Sequence, residues 1–136
     1  MRRDATWAHE RFAAARVARL ATVSGVGTPH LVPITFVLVG TTILSAVDAK
    51  PKSTATLRRL DNIAANPFVS VLVDDYDDDW TQLWWARADG WARVQPVEDV
   101  PDFDALVARY PQYSEDPPVG PVIVIVVDHW SGWSAT

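Results

Sequence analysis

The stretch RLATVSGVGTPHLVPITFVLVGTTILSAV, residues 19–47, decides the fold. Arg19-Leu20-Ala21-Thr22-Val23 alternates in the two-residue period of a half-buried strand. Ser24-Gly25-Val26-Gly27-Thr28 supplies a glycine-rich turn. PHLVPITFVLVG, 29–40, is enriched in β-branched and aromatic residues and ends at Gly40, after which Thr41 and Thr42 begin another strand, TTILSAV. Strand, turn, strand, tight turn, strand is a β-meander, in which neighbouring strands are antiparallel. Gly25 and Gly27 do not open a dinucleotide site, because neither a helix nor a third glycine follows them.

Outward from this meander, ATWAHERFAAARVAR (5–19) places Trp7, Phe12, Ala15 and Ala18 at helical spacing among good helix formers. On the other side, STATLRRLDNIAA (53–65) puts Leu57, Leu60, Ile63 and Ala64 on one helical face. Ser53 or Thr54 stands at its cap, and Asn66-Pro67 stops it. PFVSVLVDDY is a strand, and DDYDDD (74–79) an acidic loop. LWWARADGWARVQPV is a long strand or bent hairpin that breaks near Asp89-Gly90. DVPDFDALVARY (99–110) is a short helix, SEDPPVGP a loop, and PVIVIVVDHWSGWS the last strand. Hairpin-connected strands with few helices predict one antiparallel barrel or sandwich domain over residues 1–136 rather than a parallel βαβ sheet.

Composition narrows the function. The chain has 136 residues, 49% of them hydrophobic, which suits one domain with a real core. Twelve Lys+Arg against 17 Asp+Glu leave a net charge of −5. That balance disfavours general nucleic-acid binding, which needs a basic face. No cysteine is present, so disulfides, thiolate metal sites and cysteine nucleophiles are excluded. The N-terminus has no long apolar stretch after its arginines, and no apolar run reaches the roughly 20 residues of a membrane helix. A soluble cytoplasmic protein is expected. His9, His30 and His129 fall in different elements without metal-ligand spacing, and no nucleophile elbow or phosphate-binding P-loop occurs. DDYDDDW lacks the glycine and distal glutamate of a calcium loop and reads as a solvated connection. With no self-contained nucleophile, attention passes to a bound cofactor.

The anion site is expected at DAKPK, 48–52, which holds the only two lysines of the chain. Pro51 stiffens the pair, Ser53 adds a hydroxyl, and a helix N-terminus follows with free N–H groups and a positive dipole end. Lys50, Lys52 and Ser53 thus form a candidate phosphate cradle. Arg58 and Arg59, one to two turns on, extend the positive field. The plain alternative is a solvated charge pair.

RVARLATVSGVGTPHLVPITFVL, TILSAVDAKPKSTATLRRLDNIAANPFVSVLVD and LWWARADGWARV together resemble the pyridoxamine 5′-phosphate oxidase-like split-barrel superfamily. Within it the chain is most similar to small actinobacterial-type flavin/deazaflavin oxidoreductases that use coenzyme F420. The resemblance implies a mainly β, six-stranded antiparallel split barrel with flanking helices, working as a homodimer with a cofactor at the subunit interface. It implies that Val32, Pro33, Ile34 and Thr35 line the ring system through backbone groups, and that Lys50, Lys52 and Ser53 hold the phosphate. Trp84 and Trp85 would reach the cofactor, and Trp133 would close the site. Each of these tryptophans has core or interface packing as its plain alternative. The true oxidases carry an arginine–histidine substrate signature near a longer C-terminus, which this chain lacks. The activity implied is hydride transfer from reduced F420 to a small electron-poor substrate, with Tyr76, His30 or solvent supplying a proton. The phosphate and polyglutamate tail of F420 would find counter-charges in Lys50, Lys52, Arg58 and Arg59. An FMN enzyme of the same fold, or a non-catalytic flavin, deazaflavin or haem carrier, stands as the alternative.

Overall fold

A computed structural model describes residues 1–47 and 54–136, with side chains outside 48–57. The elements run β1 (Arg2–Arg3), α1 (Ala5–Ala14), β2 (Ala18–Val23), β3 (Pro29–Ile34), β4 (Val37–Val39), β5 (Thr42–Ala46), α2 (Thr54–Ala65), β6 (Phe68–Asp75), β7 (Trp84–Gln95), α3 (Phe103–Arg109), α4 (Pro111–Glu115) and β8 (Val122–Ser134). Short 3-10 turns at Trp80–Gln82 and Val97–Asp99 flank β7. All strand pairings are antiparallel, in the order β3-β2-β6-β7-β8-β5-β4, with β1 added to β8.

β3 and β4 lie at opposite ends of this path yet are joined by two residues, Thr35 and Phe36. The two ends of the sheet therefore meet, and the sheet is a barrel split along the β3/β4 seam. Eight strands stand where six were expected. The run 29–40 breaks at Thr35–Phe36 into two, and Arg2–Arg3 adds a short strand. The break is fixed from outside the strand. The Tyr110 hydroxyl accepts from Phe36 N–H (2.9 Å) and lies 2.8 Å from Phe36 O and 2.9 Å from Arg16 O. The Thr35 hydroxyl meets that of Tyr113 at 2.8 Å, and Ser45 Oγ donates to Thr35 O at 2.8 Å.

The turns behave as the glycines require. Gly27 and Gly40 sit at φ 89° and 61°, in the left-handed region that side chains avoid. The latter closes the two-residue hairpin between Val39 and Thr42. β7 is one strand rather than a hairpin, and its break at Asp89/Gly90 is a register shift against β8. Helix α1 stops at Ala14, so Ala18, expected on its buried face, is buried instead as the first residue of β2. The segment after Tyr110 carries an unexpected helical turn, α4.

Leu20, Phe36, Ile43, Val71, Val73, Ala86, Ala88, Ile123 and Ile125 fill the barrel, capped by Ala8 and Phe12 of α1 and Ile63 of α2. A second core packs Val37, Leu44, Val122 and Val124 against Leu106 and Tyr110 under α3. The unbroken apolar run of β8 follows from these two cores, since Ile123 and Ile125 face one and Val122 and Val124 the other. No helix among the described residues is long and apolar enough to cross a membrane.

Candidate functional site

The β2–β3 hairpin and α2 enclose a cavity of about 490 Å³, lined by Ser24, Thr28, Pro29, His30, Arg58, Asp61 and Asn62. Its walls are held rigidly. The Ser24 hydroxyl accepts from Val26 N–H (3.3 Å) and Thr28 N–H (3.0 Å), closing the turn. Asn62, 4% exposed, donates from Nδ2 to the buried Thr22 Oγ1 at 3.0 Å and so pins α2 to β2. Thr22 is the cross-strand partner of His30, so the same strand pair that docks the helix sets the imidazole in the cavity wall. His30 Nδ1 is buried without a hydrogen-bond partner among the described residues. A buried polar atom left unpaired is costly, and a ligand oxygen or hydroxyl in the cavity would satisfy it.

Arg58 is exposed and lines the cavity. Arg59 is turned inward, and burial lowers its pKa from the ordinary arginine value, with Nε lacking a partner among the described residues. Asp61 shares the cavity with Arg58 and offsets part of its charge, so a phosphate held here needs cations beyond Arg58. Lys50, Lys52 and Ser53 lie outside the described residues. In the sequence they immediately precede α2.

The structure separates the other expected site residues. Of Val32–Thr35, Ile34 is buried, Val32 packs against the barrel core, and the Thr35 hydroxyl is engaged by Tyr113. Only Pro33 presents an exposed side chain. This segment can therefore meet a ligand chiefly through backbone. Trp84 packs against the core and Trp7, with ring centroids 6.0 Å apart at 89°, and the Arg11 guanidinium lies 4.8 Å from its ring. Trp85 and Trp133 are direct cross-strand partners on β7 and β8 and line a different cavity. Tyr76, 65% exposed, lies with Leu72, Asp74, Trp85 and Arg87, away from His30. The acidic loop behaves as a solvated connection: Asp79 caps the 3-10 turn through Thr81, and no carboxylate or histidine cluster suited to a metal occurs among the described residues. Sequence patterns missed Ser24, Thr28, Asn62 and the cavity-facing place of His30. The available signal was register, since a hairpin turning at 24–28 sets His30 opposite Thr22.

The family model described as pyridoxamine 5′-phosphate oxidase matches residues 6–134. The chain belongs to that family. Among solved structures, a FAD-binding protein from Mesorhizobium loti is 20% identical, with 97% of this chain and 95% of that chain covered at a TM-score of 0.72. The FAD-binding protein of Mycobacterium smegmatis is 19% identical, covering 98% and 96% at 0.65. HupZ of Group A Streptococcus is 17% identical, covering 94% and 92% at 0.64. At such identities the likeness concerns the split-barrel fold. No curated protein matches the chain.

Proposed function

We propose that this family member is an oxidoreductase that binds coenzyme F420, with its phosphate end at the start of α2 and its ring system along the β3 edge. The observation that carries the reading is His30 Nδ1, buried without a hydrogen-bond partner among the described residues, in a cavity that Arg58, Asp61 and Asn62 of the middle of α2 also line. Family membership and the FAD-binding structural neighbours support a flavin-type cofactor. When bound, the deazaflavin supplies a hydride to an electron-poor C=C or C=O of a small substrate.

The chain's own residues have separate tasks. Arg58 gives a charge-assisted hydrogen bond to the phosphate, and Lys50, Lys52 and Ser53 complete the counter-charge that Asp61 partly cancels. The backbone of Val32–Thr35, held by Tyr110 and Tyr113, orients the ring. Protonated at Nδ1, His30 can donate to an oxygen in the cavity. The working form is a cytoplasmic homodimer with the cofactor between subunits. Leu31, 68% exposed, and Val26, 91% exposed, lie on the hairpin that walls the cavity and offer apolar surface for a second copy.

The test is a titration of apo-protein with F420 and FMN side by side, read by cofactor fluorescence. Saturable F420 binding, weakened about tenfold in Arg58→Gln, is expected, equivalent to about 1.4 kcal/mol. Tighter binding of FMN would replace the deazaflavin by FMN in the same site. Binding of neither would refute the assignment.

A further inference from the structure

Beside the second core, a smaller cavity of about 180 Å³ lies between strands β5, β8 and β7 and the segment that leads into α3. It shares no lining residue with the first cavity. Strand register builds its floor. Leu44 pairs with Val124, and Val124 with Arg93, so one row across three strands ends in a guanidinium. Leu44 and Val124 are buried, whereas Arg93 is exposed. Thr42, at the start of β5, adds a hydroxyl to the lining.

β7 ends at Gln95, and the chain then folds back over this row. Val100, 7% exposed, is seated in the second core with Leu44 and Val124. Consecutive turns fix the segment around it. Asp99 N–H donates to Pro96 O at 3.0 Å, Val100 N–H to Val97 O at 3.1 Å, and Phe103 N–H to Val100 O at 3.2 Å. Asp99 and Asp102, on either side of this anchor, thereby join Arg93 in lining the cavity. Asp102 precedes α3 but its side chain does not cap the helix. Among the described residues, no ion pair or side-chain hydrogen bond engages Arg93, Asp99 or Asp102. Exposed opposite charges gain little by pairing, so the turns rather than attraction set their spacing. One cavity thus holds a free guanidinium, two free carboxylates and an apolar floor.

We propose that this cavity is a second ligand site, for a small zwitterion with an apolar tail: an aliphatic α-amino acid the size of valine. Arg93 and the Thr42 hydroxyl take the carboxylate, and Asp99 and Asp102 take the ammonium. Leu44, Val100 and Val124 cover the branched side chain. The volume is room for about six waters at roughly 30 Å³ each. It lies below the roughly 300–1,000 Å³ of sites for drug-sized ligands, so the occupant is small. A simple cation leaves Arg93 unanswered, and a simple anion meets two carboxylates. The ligand therefore carries both charges.

The probe is L-valine, titrated into the isotope-labelled full chain to about 10 mM, enough to saturate a millimolar site, and followed by amide chemical shifts. Its single-charge counterparts are isobutylamine, which lacks the carboxylate, and isovalerate, which lacks the ammonium. Saturable shifts at Thr42, Arg93, Asp99 and Asp102 are expected, with each counterpart at least about tenfold weaker. Arg93→Gln and Asp102→Asn should each lower the valine affinity about tenfold, the scale of one lost charged hydrogen bond. Both positions are exposed, so the variants keep the native circular dichroism. Arg58→Gln should leave the valine affinity unchanged whether or not it affects the cofactor, which separates this site from the first. Equal affinity for valine and either counterpart overturns the proposal, since one charge would then suffice. Absence of saturable shifts, shifts confined to other residues, or an unchanged affinity in Arg93→Gln overturns it as well.

Discussion

Replacing Tyr110 by Phe removes one oxygen and keeps the ring, so it isolates the bond that closes the barrel seam. Tyr110 is 9% exposed and its hydroxyl sits among three main-chain groups: Phe36 N–H, Phe36 O and Arg16 O. Loss of the two acceptor contacts matters less, because the hydroxyl has one proton to give and a carbonyl tolerates losing a donor better than a buried N–H tolerates losing an acceptor. Phe36 itself is fully buried, so water cannot readily replace the lost acceptor. An unsatisfied buried donor costs about 1–3 kcal/mol, and about 2 kcal/mol is expected here. At roughly 4 °C per kcal/mol for a domain of this size, Tm should fall by about 8 °C. Tyr113→Phe is the control: it loses a single half-buried contact between neutral hydroxyls, 2.8 Å from Thr35 Oγ1. About 1 kcal/mol and 4 °C are expected. Urea unfolding of both variants at matched concentration, followed by tryptophan fluorescence, gives the two values with a common slope. If Tyr110→Phe costs no more than Tyr113→Phe, the seam is not held by that hydroxyl, and the account of why the strand breaks at Thr35–Phe36 fails.

Gly90→Ala should destabilise by about 3 kcal/mol or prevent folding, because the added Cβ would lie 2.2 Å from Val126 O and 3.0 Å from Val127 Cα, both backbone atoms. Chemical denaturation, or the soluble yield where the variant does not fold, reads the effect. Asp79 has its pKa lowered first by the Thr81 hydroxyl, then by the Thr81 N–H, against a smaller opposing effect of desolvation. The contribution of this cap is therefore complete above the ordinary carboxylate range and is lost as pH falls through the lowered folded value. Thr81→Ala removes the larger cause and should raise the Asp79 pKa toward its ordinary value, as a carboxyl NMR titration would show.

Much of the strand plan is legible because two-residue alternation, glycine turns and an apolar run covered on both faces leave local marks. What escapes is set by distant residues. Nothing local ends β3 at Ile34. The instruction comes from Tyr110, 74 residues beyond Phe36, whose hydroxyl takes the Phe36 N–H out of any ladder. Likewise Ala15 and Ala18 continue the helical spacing of α1, but Arg109 donates to Ala15 O, and Arg16 to Arg109 O at 2.6 Å, so the chain leaves the helix early to meet α3. The first cavity was half visible: the α2 arginines follow a lysine pair in the sequence, whereas His30 reaches them only through the β2–β3 register. Trp85 and Trp133 are 48 positions apart, and it is cross-strand pairing that makes them neighbours of Arg2 and Arg87.

The seam itself has a chemical polarity that follows from two prolines. Among the described residues β3 pairs with β2 on one side alone, and its other edge is open. Proline has no N–H, so within a sheet its nitrogen must face away from the ladder. Pro29 and Pro33 therefore turn outward. Leu31 lies between them at the same parity, so it turns outward too, and the even positions His30, Val32 and Ile34 bond to β2. The open edge thus carries the carbonyls of 29, 31 and 33 but a single donor, Leu31 N–H. A strand from another chain needs a donor at alternate positions and finds one of three, which protects this edge from pairing. A flat ligand with one donor and one acceptor on its rim finds both at Leu31, while of the proposed ring-binding segment Val32–Ile34 only the Pro33 carbonyl is left free on this edge. Pro29→Ala with Pro33→Ala restores two donors while leaving the β2 ladder intact. The double variant should associate beyond the parent's own oligomeric state at matched protein concentration, with a gain in sheet signal, as measured by sedimentation velocity and infrared amide bands. A double variant with the parent's oligomeric state would show that the prolines do not guard the edge, and the parity argument that assigns its donors would fall with them.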